Sequence, residues 1–248
     1  MIATDFIFGR KYSKKWDLII GGVGGSITNI AELQSKITGG TVTDFEVKEG
    51  DVYASFTPAS TYYINTSAFS GNTSITSFKD LGNKCIQING SSFTNSTIKE
   101  FISGKATSMA NAVFRNAIEL ELVELPLMNQ IAQEAFRDCK KLPSLDLPSL
   151  TTVTGYFLTM GGCTLLQNIN IPLLQNIGAM FAGTPCLNLD ISSATIIGGT
   201  TANNNVFSSF ANNGTVKCPT ALQTVNEGNE EGDVAYLRNT KNFTVTYI

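Results

Sequence analysis

Residues 136–153, FRDCKKLPSLDLPSLTTV, constrain the fold more than any other stretch of the chain. Counting from Phe136, small or apolar side chains fall at Cys139, Leu142, Leu145, Leu147, Leu150 and Val153, with Pro148 after the third leucine. The preceding unit keeps those offsets with Phe114, Ala117, Leu120, Val123, Leu125, Pro126, Met128 and Ile131. A fixed period of this kind marks stacked repeats, each burying its apolar face only against its neighbours.

The aromatic that opens each unit recurs as Phe69, Phe93, Phe114, Phe136, Phe157, Phe181 and Phe207, at spacings of 24, 21, 22, 21, 24 and 26 residues. The longer intervals hold insertions near 82–87, at Met160, Gly161 and Gly162, and at 198–205. After Cys163 the pattern resumes at Leu166, Ile169, Ile171, Pro172, Leu174 and Ile177. The second unit is one residue short and keeps Ile98, Phe101, Ser103, Ala106 and Met109. Seven repeats are counted, the outermost degenerate, as capping units tend to be. Each is expected to carry one short strand with two inward residues, such as Leu145 and Leu147. Such strands stack about 4.8 Å apart into a parallel sheet. The Phe and the last aliphatic residue then close the other side of each coil.

Composition narrows the chemistry. Charged residues are only 15% of the 248, and the net charge is −3, which disfavours a nucleic-acid partner needing clustered Lys and Arg. There is no His, which removes Ser-His-Asp and Cys-His nucleophiles and, without close Cys pairs, a zinc site. The five Cys are expected as buried free thiols, since Cys139, Cys163, Cys186 and Cys218 fall in inward columns. No cofactor and no metal is expected. No stretch approaches 18 apolar residues, so no membrane insertion is expected. No signal peptide is evident either, because the charges at the start follow the apolar residues instead of preceding them.

Residues 1–25 read as an arm. Arg10, Lys11, Lys14, Lys15 and Trp16 are its candidate attachment residues, and the cluster reads either as a solvated face or as a contact to an acidic partner. GGVGG at 21–25 lacks the spacing of a phosphate loop and reads as a flexible joint. Residues 27–37 have helical periodicity, with Thr28 or Ser26 as N-cap and Gly39-Gly40 as the stop. Residues 42–47 and 52–56 alternate around KEGD, a hairpin signal. Near the other end, 221–225 reads as a helical turn, the carboxylates of Glu227, Glu230, Glu231 and Asp233 as a solvated loop, and 242–248 as a closing strand. The expected division is 1–57 as arm plus α+β attachment and capping unit, 58–219 as solenoid and 220–248 as C-terminal cap.

The consensus FxxCxxLxxLxLPxLxxI resembles the BspA-like leucine-rich repeats of Bacteroidetes and some protozoa, with AFRDCKKLPSLDLPSL at 135–150 very close to that family's unit. The resemblance implies a strand-rich α+β leucine-rich-repeat solenoid of about seven repeats, here with a small N-terminal α+β unit. It implies surface adhesion or ligand binding and brings no catalytic residue. ITGGTVTDFEV, then the repeats, then VKCP, GDVAYL and FTVTYI resemble proteins encoded by phages of Bacteroidetes hosts. That implies a virion location, with a bacterial cell surface as the alternative. Release by lysis would dispense with a leader.

In a leucine-rich repeat the outward strand residues form a ladder on the concave face, the usual binding surface. One outward row is expected to be Lys79, Ile102, Glu124, Asp146, Asn170, Asp190 and Lys217. The adjacent row is Ser77, Glu100, Leu122, Ser144, Asn168, Asn188 and Thr215. These rows, apart from Ser77 and Thr215, are the candidate ligand-binding residues. Its acidic, amide-rich middle suits a host surface glycan, a basic protein surface or a cation. Glu124 and Asp146 would be neighbours, and a glycosidase pair is conceivable there, but a flat ladder is a poor place to raise a carboxyl pKa. The expected function is non-enzymatic recognition by a tail or head fibre protein. The alternatives are a decorating virion component and a bacterial adhesin. The arm would dock on other virion proteins, and a homo-oligomer, a trimer, would suit a fibre.

Overall fold

The computed structural model describes residues 16–22, 26–155, 159–178, 180–197, 206–223 and 234–248. Its elements run β1 (Leu18–Gly21), α1 (Ile30–Lys36), β2 (Ile37–Gly39), β3 (Val42–Lys48), β4 (Asp51–Phe56) and β5 (Tyr62–Ile64). Two strands then recur in each coil: β6 (Ser77–Asp80) with β7 (Cys85–Ile88), β8 (Glu100–Ser103) with β9 (Ser108–Met109), and β10 (Leu122–Glu124) with β11 (Gln130–Ala132). They continue as β12 (Ser144–Asp146) with β13 (Thr152–Thr154), β14 (Asn168–Asn170) with β15 (Asn176–Ile177), and β16 (Asn188–Asp190) with β17 (Ile196–Ile197). β18 (Thr215–Cys218), a 3₁₀ turn (Thr220–Gln223), α2 (Val234–Asn239) and β19 (Thr244–Tyr247) close the chain.

The protein is a strand-rich leucine-rich-repeat-like solenoid with six two-stranded coils. The seventh unit, opened by Phe207, contributes β18, against which β19 pairs in parallel. Phe157, which opens the fifth unit, lies outside the described residues.

Three ladders hold the coils together. The first strands pair in parallel and in register, with Phe78, Phe101 and Val123 aligned in one block and Leu145, Ile169, Leu189 and Val216 in another. The second strands also pair in parallel, Gln87 beside Ser108 beside Gln130 beside Thr152. This second sheet was not expected: a two- or three-residue strand around one aliphatic is too short to show alternation. The third ladder joins the turns. The amides of Phe69, Phe93, Phe114 and Phe136 donate to carbonyls of Ser92, Val113, Ala135 and Thr159, at 2.7 to 2.9 Å.

The predicted columns are the core. One apolar cluster runs from Leu18 to Phe243 and includes Phe136, Cys139, Leu142, Leu145, Leu147, Leu150 and Val153. Phe69, Phe93, Phe114 and Phe136 stack ring on ring with centroids 5.1 to 5.5 Å apart. All five cysteines are free and buried.

Two expectations at the N-terminal end are corrected. Residues 16–21 are not part of an arm. β1 lies between β4 and β6 and is antiparallel to both. Leu18 and Ile20 point into the core while Ile19 packs with Trp16 and Tyr53 on the other face. The short apolar run forms a strand because partners flank it on both sides, which local sequence cannot show. The helix, next, is capped by Asn29, whose Oδ1 accepts from the Glu32 amide at 3.0 Å. Thr28 instead gives its N–H and hydroxyl to the Glu32 carboxylate. The chain leaves α1 straight into β2, without using Gly39 as a stop. The hairpin forms as expected, its two-residue turn Glu49-Gly50 at φ 54° and 85°, the doubly left-handed turn that suits two-residue hairpins.

Candidate functional site

The two outward rows exist, but they are divided. The first-strand sheet stops at β10 and resumes at β12 as a separate sheet, β12-β14-β16-β18-β19. The cause is Pro143. Before β8, β10, β14 and β16 the preceding residue donates to the previous coil, as Glu121 does to Lys99 at 2.8 Å and Gln167 to Pro143 at 3.0 Å. Proline has no N–H to give. β10 and β12 remain neighbours without ladder pairing.

On the β6–β10 side the candidate residues do not form an open polar face. Ile102 is only 6% exposed. Its row continues through Lys79 to Ile19 and then Tyr53, so it sits in a partly apolar strip and not a ligand-facing one. Lys79 and Glu100 are half-buried and joined by an ion pair of 2.7 Å. Leu122 is half-buried, and Glu124 is exposed at the seam. Glu124 and Asp146 are both exposed.

On the β12–β19 side the rows enclose a groove of about 350 Å³. Its walls are Ser144, Asn168, Asn188 and Thr215 on one side, and Asp146, Asn170, Asp190, Lys217 and Thr246 on the other. Its floor is the strand backbone at Leu145, Ile169, Leu189 and Val216, whose side chains turn into the core. The walls are held by side-chain hydrogen bonds running from strand to strand. Asn188 donates to the Asn168 carbonyl at 2.7 Å, and Thr215 donates to the Asn188 carbonyl at 2.8 Å. Opposite them, Asn170 donates to Asp146 at 2.7 Å. Asp190 accepts from the Ser192 amide and hydroxyl and pairs with Lys217 at 3.3 Å. Register explains these contacts, because Asn168, Asn188 and Thr215 are direct cross-strand neighbours, as are Asp146, Asn170, Asp190 and Lys217.

The structure therefore gathers Ser144, Asp146, Asn168, Asn170, Asn188, Asp190 and Lys217 into one groove and leaves Lys79, Glu100, Ile102, Leu122 and Glu124 outside it. Thr246, from the closing strand, was not expected to line the groove. Its signal was the FTVTYI alternation, which puts Thr244 and Thr246 outward. Of the attachment residues, Trp16 is 7% exposed and packed on Ile19 and Tyr53, so it is a core residue of the cap. Arg10, Lys11, Lys14 and Lys15 lie outside the described residues, as do Glu227, Glu230, Glu231 and Asp233. Among the described residues no helix is long and apolar enough to cross a membrane.

A second polar cluster is buried and structural. Asp80 accepts from the amides of Lys84 and Cys85 and from the hydroxyls of Ser103 and Tyr62. Burial raises its pKa from the ordinary 3.8, and the four donors pull it back.

Compared with known proteins, residues 52–158 match the family model of the BspA type leucine-rich repeat region, in 6 copies. The match spans the coils from β4 to β13, so of the groove strands it includes β12 alone. No curated protein and no solved structure matches the chain.

Proposed function

We propose that this chain, a BspA-type repeat region continued into an amide-lined groove, is a non-enzymatic recognition protein that grips a bacterial surface ligand as part of a phage virion. The observation that carries the recognition reading is the groove itself. Adjacent coils present Asn, Asp, Ser and Thr in two straight rows, fixed against each other by hydrogen bonds. Side chains already held in place lose little freedom when a ligand arrives. The repeat family supports an adhesion or protein-interaction role. The virion reading is supported by the flanking segments ITGGTVTDFEV and FTVTYI, which resemble phage-encoded proteins. Residues Arg10 to Lys15 would then be the contact to other virion proteins, and a host glycan or protein would be the ligand.

The test is competition. Purified protein, or antibody against it, is added to host cells before the particles that carry the chain. Recognition predicts that adsorption falls, and that Asn188→Ala protein competes less well. Undiminished adsorption would leave a decorating role. Finding the protein in the envelope of uninfected cells would make it a bacterial adhesin.

A further inference from the structure

The geometry points to an uncharged linear polysaccharide as the ligand of the β12–β19 groove, lying across the strands with one sugar unit per strand; this rests on the recognition reading above. Three observations converge on that class.

The first is the set of unused hydrogen-bonding positions. Asn168 accepts from Asn188 through Oδ1, which leaves both of its amide N–H groups for a ligand. Asn188 uses one N–H on Asn168 and its carbonyl on Thr215, and retains one N–H. Asn170 uses one N–H on Asp146 and keeps its carbonyl. Ser144 and Thr246 add hydroxyls to the lining. Spare donors therefore line one wall, at Asn168 and Asn188, and spare acceptors the other, at Asp146 and Asn170. A sugar hydroxyl both donates and accepts, so a chain of hydroxyls can satisfy every one of them.

The second is charge. Lys217 is matched by Asp190 at 3.3 Å, and Asp146 adds an acid at the other end. A polyanion such as a phosphate-linked polymer would meet like charge there without free Lys or Arg to offset it. A basic polymer would find one acid unmatched by lysine and four strands of neutral amide and hydroxyl.

The third is period. Groove positions repeat once per strand, about 4.8 Å. A hexose unit in an extended polysaccharide advances by close to that distance, so successive sugars keep step with successive strands, and where alternate units are turned over, equivalent hydroxyls meet equivalent side chains on every second strand. An extended polypeptide advances about 3.3 Å per residue and turns alternate residues to opposite sides. Its like-facing groups then fall about 6.6 Å apart, and they lose step with the groove within two strands.

The experiment uses fluorescently labelled full-length protein on intact bacterial cells that it binds. The glycan assignment predicts that mild periodate oxidation of the cells, which cleaves vicinal diols, abolishes binding, whereas surface proteolysis leaves it intact. Asn168→Ala/Asn188→Ala protein should bind at least tenfold more weakly. Thr152→Ala, on the opposite sheet, should bind like the wild type. Matched thermal melts exclude a folding defect, and Asn188→Gln, which keeps an amide, should recover part of the affinity. Binding that survives periodate and disappears on proteolysis would overturn the glycan while keeping recognition. So would binding that is abolished by phosphate-polymer competitors but not by neutral polysaccharide. Binding by wild type that Asn168→Ala/Asn188→Ala leaves unchanged would remove the groove from both readings.

Discussion

Two kinds of residue in this fold sit in environments that a repeat consensus does not describe. Asp80 is one. Its carboxyl is buried under Tyr62 and Ser103, and burial raises its pKa above 3.8. A carboxyl whose folded pKa exceeds the unfolded one favours the fold most when protonated. Its contribution is complete below about pH 3.8 and is lost as pH rises through the raised value. Asp80→Asn removes that titration and turns an amide N–H toward four donors. The variant should be less stable by about 1 to 3 kcal/mol, and the gap to wild type should narrow between pH 4 and pH 7 in urea melts. Buried thiols form a related case. Burial pushes Cys186 up to about 12 and Cys218 up to about 11, and raises Cys139 and Cys85 as well. The thiolate is the reactive form. All five side chains are also buried, so iodoacetamide at pH 8 should leave them unmodified in the native protein and label all five in urea, read by intact mass. The left-handed turn residues are the other kind. Ser67, Ser91, Ala112 and Glu134 precede the stacked Phe residues by two and have φ near 55°. The Ala112 methyl lies outside the apolar core cluster, and a left-handed non-glycine costs about 1 to 2 kcal/mol. Ala112→Gly should therefore leave stability unchanged or raise it, whereas the same exchange in a strand would lower it. The partner column two residues after each Phe was legible, being Gly71, Asn95, Asn116 and Asp138, the types that tolerate this conformation. The column before was not, because Ser, Ala and Glu have no such preference and are held there by the turn-to-turn hydrogen bonds.

At the scale of elements, how much could be read depended on how local the cause was. The inward columns and the outward rows followed from a period of two within each strand, so Asn168 beside Asn188 and Asp146 beside Asn170 could be placed in advance. β1, by contrast, is a strand only because β4 and β6 accept it. That is why Trp16 was misread as an attachment residue and Ile102 as a ligand contact. The seam at Pro143 was visible as a proline but not as a break, since its effect lies in a hydrogen bond that the next coil fails to receive. Truncation separates the two readings of the N-terminus. Removing residues 1–22 takes out the strand joining the hairpin to the repeats. It should expose Val52, Ala54 and Phe78, which are buried, and produce soluble aggregates on size exclusion. A truncation at 22 that kept the elution volume and the melt of the full chain would restore the arm.

For the molecule as a whole, the question is whether the capping unit and the solenoid unfold together. Residues 1–57 were expected as a separate unit from 58–219. The sheet β10-β8-β6-β1-β4-β3 runs without interruption across that boundary, and so does the apolar cluster that ends at Phe243. Solenoids couple only through neighbouring interfaces, so cooperativity depends on whether any interface is weak. Three are candidates. One is the β4–β1–β6 junction, where β1 is paired along both edges. The second is the Pro143 seam, where the first-strand ladder lapses while β11 and β13 and the turn ladder still bridge it. The third is one coil further on, where the second-strand ladder lapses between β13 and β15 while β12 and β14 stay paired. The chain provides a reporter for this, because Trp16 is its single tryptophan and sits on Ile19 and Tyr53 in the cap. Far-ultraviolet circular dichroism is dominated by the coils. If the cap were its own unit, tryptophan fluorescence would change at a different urea concentration from the circular dichroism. A continuous sheet predicts that the two transitions coincide. Any second phase should then involve the coils beyond Pro143, where Trp16 is silent. A Leu189→Ala variant tests that side directly. A buried leucine truncation costs about 2 to 5 kcal/mol, and it should shift the circular-dichroism midpoint further than the fluorescence midpoint if the seam uncouples the two blocks. Equal shifts would show that the second-strand and turn ladders alone suffice to make the solenoid, cap included, one cooperative body.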